Sequence, residues 1–244
     1  EVRFYAAEAL AYLDDTSAVD VLTESARNVP AFRVNALAAL SAMDDVMAYD
    51  GLRSLLEVRS AETRYGAFRA LCTMNQHDPF LREENLGNQF RFHVLDVPGP
   101  EMVHVTRSHR PEIVLFGKDQ HFPLPLVLEA GKNIMLNGLN GDKIMLSKFA
   151  ANAEPEQREV STRVDDVIRA IVALGGTYPD VVQALQQAKV DGSITSRFEV
   201  DALPQSGRRF DRLAHPSSHQ RDDEIAQTGH EDTALEVATP LPDL

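Results

Sequence analysis

Residues 164–200, VDDVIRAIVALGGTYPDVVQALQQAKVDGSITSRFEV, decide how the rest of the chain is read. Val164, Val167, Ile168, Ile171 and Leu174 fall at helical spacing, and Asp165 and Asp166 stand in the first turn, where the helix dipole favours negative charge. Gly175 and Gly176 end this helix, because glycine takes the left-handed conformation without strain. Thr177 and Asp180 then form a Thr-x-x-Asp capping box for a second helix that buries Val182, Leu185 and Ala188. Lys189 stands near its negative end, Gly192 stops it, and Ile194, Phe198 and Val200 read as a short half-buried strand. The segment is therefore two short helices and a closing strand, with no residue set suited to bond-making chemistry.

In residue type and spacing, Val167 to Ala173, Leu174, Gly175, Thr177, Asp180, Leu185, Lys189, Gly192, Ile194 and Glu199 resemble the C-terminal segment of the bacterial flagellar P-ring protein family. The pattern departs at Tyr178-Pro179, where the family places proline directly after threonine, and at Asp191 and Ser193, where it favours alanine. The resemblance implies a non-catalytic structural subunit without cofactor or metal. It would contribute to a periplasmic ring around the flagellar rod, with copies of itself and rod or other basal-body proteins as partners. The alternative is a helical hairpin of general type packed on a sheet.

Upstream, residues 1–76 repeat themselves. Aligning Arg3, Arg33 and Arg64 brings Ala6, Ala36 and Ala67 into register, then Ala9, Ala39 and Ala70, then Leu10, Leu40 and Leu71, then Leu13, Met43 and Met74. The turns Asp14-Asp15, Asp44-Asp45 and Asn75-Gln76 follow the same period, with second helices around Val19 to Ala26 and Gly51 to Val58. The pattern resembles HEAT-like repeats, whose helix pairs must stack to bury their faces. Cys72 takes the slot of Ala11 and Ser41, a small residue at a close helix contact. The arginines form a ladder that either pairs with turn carboxylates of neighbouring repeats or presents a basic strip to an acidic partner.

After Pro79 the period changes. Phe90, Phe92 and Val94 alternate along one side of a strand, and runs at 101–106, 112–117, 124–130, 133–138 and 143–150 follow, with turns at Asn137-Gly138 and Asn140-Gly141. These imply an antiparallel sheet, a small sandwich or a curled barrel. Gly131-Lys132 lacks the flanking residues of a phosphate loop. His93, His104, His109 and His121 show no zinc spacing, and Ser108, Asp119 and His121 have no nucleophile-elbow context. Arg107, His109 and Arg110 make a basic loop, a second contact candidate. Residues 150–162 read as a polar linker. The stretch beyond Pro204 is poor in aromatic residues and reads as a flexible tail, in which Pro216 spoils the His215/His219 helical spacing.

The expected fold class is thus α+β: a HEAT-like α-solenoid over 1–86, a β-rich domain over 87–150, a P-ring-like helical hairpin with closing strand over 151–203, and a disordered tail over 204–244. The net charge of −13 disfavours nonspecific nucleic-acid binding, and no apolar run reaches the length of a membrane span. One cysteine allows no internal disulfide. The chain begins inside a helical pattern without Met, as a piece of a longer or processed protein would. No catalytic constellation stands out. Arg3, Arg33, Arg64, Arg107 and Arg110 are the candidate protein-contact residues, and a HEAT-repeat adaptor unrelated to motility is the competing reading.

Overall fold

Small residues at every third or fourth position let the first helices pack closely. The computed structural model describes residues 1–107, 110–139, 141–150 and 153–205. Its N-terminal layer comprises α1 (Val2–Ala11), α2 (Val19–Asn28), α3 (Arg33–Ala42), α4 (Val46–Leu55) and α5 (Ala61–Met74). The repeat is visible in its turns. Backbone N–H groups of Ser17, Met47 and His77 donate to Asp15, Asp45 and Asn75 Oδ1 at 2.9, 2.7 and 3.0 Å. Asp45 caps α4, which begins five residues before the expected Gly51. That glycine lies mid-helix because α4 crosses α2 closely: a Cβ there would meet Thr23 Oγ1 at 2.7 Å. No second helix follows α5; the chain turns into strand.

The first sheet has the order β1 (Glu83–Leu86), β2 (Phe90–Leu95), β4 (Glu112–Phe116), β3 (Met102–Val105), β9 (Arg197–Val200). The expected antiparallel sheet is instead mixed, since β2 runs parallel to β4 and β3 parallel to β9. Both faces are covered, which explains why β3 and β4 are buried at every residue and alternate only weakly. Leu95, Met102, Val114 and Phe116 join the helical layer in one core. Phe90, Phe92, Val103, Ile113 and Leu115 face a second core on the other side.

That second core is closed by an antiparallel meander and the C-terminal helices. The meander comprises β5 (Leu126–Ala130), β6 (Ile134–Gly138), β7 (Lys143–Ala150) and β8 (Ala153–Ser161). Strand β8 replaces most of the expected linker. Its polar side chains suit an exposed edge, and its backbone is held by pairing from Lys143↔Ser161 to Lys148↔Glu156. Helices α6 (Val164–Ala173) and α7 (Tyr178–Val190) bury the expected stripe, and Gly175 and Gly192 take positive φ at 85° and 71°. Thr177 N donates to Asp180 Oδ2 at 2.8 Å and the Asp180 backbone N–H donates to the Thr177 side chain, the reciprocal capping box. Arg163 and Arg169 flank the buried carboxylate of Asp165: burial pushes that carboxyl up, and their hydrogen bonds outweigh it to hold it below the usual range.

The sheet therefore ties the expected segments together. β1 and β2 pair across residues 86 and 87, and β9 pairs with β3. After β9, Ala202 is buried in the helical core and Pro204 lies against Gly66 of α5. The remainder of the expected tail, residues 206–244 with His215 and His219, lies outside the described residues.

Candidate protein-contact surface

The arginine ladder divides into interior and exterior members. Arg33 Nε donates to Ala26 O in the last turn of α2 at 3.1 Å, and its Nη1 reaches Glu62 Oε2 at 2.6 Å. Arg64 repeats the first contact one unit later, Nε to Leu56 O at the end of α4 at 2.7 Å, with Nη1 on Pro100 O at 2.5 Å. Each fastens the carbonyl end of the preceding helix, where the dipole favours a cation. Arg64 also lies over the Phe116 ring, 4.7 Å from its centroid, and burial together with the charge of Arg197 lowers its pKa to about 10. Of the two alternatives for the ladder, the basic strip is not formed by Arg33 and Arg64, which are buried and spent on packing. Only Arg3 of the three is exposed, and it has no hydrogen bond or ion pair among the described residues.

Arg3 stands at the rim of an open groove of about 810 Å³ across α2 and α4. Phe4 of α1 stacks on Phe32, 4.3 Å between centroids, which brings the start of α1 to the end of α2. That end carries Arg3 and Arg27, with Arg27 Nη2 on Ser54 Oγ at 3.2 Å. Asp20 and Asp50 also line it, thirty positions apart and in the same register of successive repeats. Exposed Val29 and Met47 supply apolar lining. Glu1 and Glu24 line it as well, so the groove carries charges of both signs and suits an extended or helical protein segment.

Behind the helical layer sits a buried polar joint that the sequence did not announce. Glu112 of β4, 1 % exposed, accepts from Tyr65 Oη at 2.8 Å, and Arg91 Nη2 stands 2.6 Å from its other oxygen. Arg69 Nη1 and His93 Nε2 approach that same oxygen at 3.7 and 3.8 Å. The His93 ring donates from Nδ1 to Leu81 O at 2.8 Å, so its Nε2 is bare, and burial keeps its pKa down. His104 stacks on Tyr65 at 3.6 Å and accepts the Ala202 N–H at Nε2, 3.0 Å; burial lowers its pKa to about 4. Burial and then the Glu112 charge raise the Tyr65 phenol and push the Cys72 thiol up to about 12, so both stay protonated. Charges that bind α5 to β2 and β4 in this way act as a joint. The signal in the sequence was a glutamate and two histidines inside apolar strands.

Arg107 and Arg110 are exposed at the ends of the β3–β4 loop, whose Ser108 and His109 lie outside the described residues. Arg107 N donates to Asp201 Oδ1 at 2.8 Å, tying the loop to the chain after β9. They are not brought to the groove. Asp119 and His121 meet Arg163 and Thr162 at 3.4 and 3.0 Å. Gly131-Lys132 is the β5–β6 turn, held against the α7 cap, beside a cleft of about 390 Å³ that Lys148 also lines. Among the described residues no three His, Cys, Asp or Glu side chains are placed to hold a metal. No described helix is long and apolar enough to cross a membrane.

In comparison with known families, residues 2–28 fit the PBS lyase HEAT-like repeat, the unit of α1 and α2. No curated protein and no solved structure matches the chain.

Proposed function

We propose that the chain is a non-catalytic structural subunit of a protein assembly, of the P-ring kind to which residues 164–200 bear their resemblance. In this reading it packs against copies of itself and against rod or other basal-body proteins in the periplasm. The observation that carries it is that α6, its turn, α7 and β9 close as one unit, fastened to β3 from Met102↔Arg197 to Val105↔Val200. Two cores share the central sheet, and the Glu112 joint stiffens the seam between sheet and helices. A body packed in this way suits a ring subunit.

A second reading, an adaptor that grips a protein segment, is favoured by the open groove across α2 and α4. Fractionation of the source cell separates the two. Recovery of the full-length protein with flagellar basal bodies supports the ring reading. Recovery as a soluble monomer bound to another partner rejects it in favour of the adaptor.

A further inference from the structure

Helix α5 carries a glycine in its interior, where glycine destabilises a helix relative to alanine. Gly66 is buried, and a Cβ there would meet Leu37 Cδ1 of α3 at 2.6 Å and Pro204 Cγ at 2.7 Å. Its register mates Tyr5 and Asn35 carry side chains, and Asn35 Nδ2 reaches Glu8 Oε1 of α1 at 3.2 Å. At Gly66 that side chain is missing, and the ring of Pro204 takes its place. The helix has thus given up a side chain for a slot beside α3 that seats a proline.

The segment in the slot is held lightly. Asp201 is tied to the sheet: its N–H donates to Val105 O at 3.0 Å, and its Oδ1 accepts the Arg107 N–H at 2.8 Å. Beyond it, among the described residues, residues 202–204 make one hydrogen bond to the rest of the protein, from Ala202 N–H to His104 Nε2 at 3.0 Å. The Leu203 N–H turns back to Asp201 O at 2.7 Å. Ala202 is buried, Leu203 and Pro204 are half-buried, and Gln205 is exposed. Ordering such a segment costs conformational entropy at every residue, and contacts this few let it open well before the helices and sheet beneath it.

We infer that the Gly66 slot is a binding site for an extended small–Leu–Pro segment of a partner protein, and that residues 202–205 are its internal occupant, an autoinhibitory strap that the partner displaces. Each position reads one chemical feature. The first residue must be small, because Ala202 lies in the helical core, and must offer an N–H to His104. The leucine packs on the same core from the side. The proline fits over Gly66, needs no hydrogen-bond acceptor, and keeps the leucine before it extended. The inference rests on α3, α5 and β3 alone, so it holds whether the chain is a ring subunit or an adaptor.

The test uses the full chain and the fluorescein-labelled peptide Asp-Ala-Leu-Pro-Gln, with binding read by anisotropy. The strap is opened by Leu203→Gly together with Pro204→Gly, and circular dichroism checks that the variant is folded. A site that is free about one time in ten binds about tenfold more weakly than an open one, so the opened variant binds the peptide at least about tenfold more tightly than the wild type. Adding Gly66→Ala to the opened variant, or replacing the proline of the peptide by alanine, removes that gain. In the wild type the Ala202 and Leu203 amides exchange faster than those of α5, and saturating peptide speeds them further. Equal affinity in the wild type and the opened variant overturns the inference, as does binding that survives Gly66→Ala. So do wild-type strap amides that exchange only with global unfolding, a readout that needs no variant. Self-association of the wild type that the peptide dissolves would give the slot to the strap of a second copy and overturn its assignment to a different partner.

Discussion

Lowering the pH should loosen the seam between the helical layer and the sheet through His104. Its ring is fully buried, stacked on Tyr65, and its Nε2 lone pair holds the Ala202 N–H. Burial depresses the pKa from 6.5 to about 4, with the carboxylate of Asp201 pulling weakly the other way. Between these values the unfolded chain binds the proton and the folded chain does not, so stability falls as pH falls. The contribution is whole above pH 6.5 and lost by about pH 4. A gap of two and a half pKa units corresponds to about 3 kcal/mol. That is a large part of the stability of an ordinary domain. The assay is urea unfolding followed by circular dichroism from pH 7.5 to pH 4, for the wild type and His104→Phe. Phenylalanine keeps a ring against Tyr65 and cannot titrate. At pH 7 the variant is less stable by about 1–2 kcal/mol, because the Ala202 N–H loses its acceptor. The difference between the two proteins then shrinks on acidification and reverses between about pH 6 and pH 5. Parallel pH profiles would refute the reasoning, since they would mean that His104 is protonated to the same extent folded and unfolded.

Three further outcomes are expected. Arg64→Met should cost about 2–4 kcal/mol in urea unfolding, because Leu56 O and Pro100 O lose a buried charged donor, whereas Arg3→Met should cost nothing measurable. Leu40→Ala empties a fully buried site in the helical core and should lower stability by about 2–5 kcal/mol; an unchanged midpoint would overturn the repeat register. Gly131→Ala puts a Cβ against the Asp180 carboxylate at a φ of 66°, so it should strain the β5–β6 turn and disturb the α7 cap together. A loss of about 1–3 kcal/mol is expected, absent for Gly141→Ala beyond the backbone term, since nothing lies near Gly141.

What the sequence revealed follows where local chemistry decides the structure. The α6–α7 hairpin was legible because its stripe, glycines and capping box are all short-range signals. The repeat register was legible because internal copies expose it. Strand β8 was hidden: an edge strand with both faces wet carries no apolar alternation, and its partner β7 is what makes it a strand. The parallel pairings of β2 with β4 and β3 with β9 were hidden too, since direction is set by the connections and not by the strands. Among the candidate contact residues, Arg33 and Arg64 could not be told from Arg3 by spacing, because all three share one register. Burial separates them, and it depends on whether a neighbouring repeat is present.

The same distinction explains why the seam is built from charge. A solenoid normally continues by adding another helix pair, but α5 is followed by strand, and its buried face meets a sheet whose register is not that of a helix. Apolar packing alone would let α5 slide along the sheet, because dispersion and hydrophobic contact are non-directional. The bond from Tyr65 to Glu112, the guanidinium of Arg91 on the same carboxylate and the grip of Arg64 on Pro100 O each fix one position along the helix. Leaving Glu112 without its partners would strand a charge in the core, so a shifted register is penalised by several kcal/mol. The buried polar cluster is thus the device that converts a repeat stack, which could end anywhere, into a stack with one defined end on the sheet.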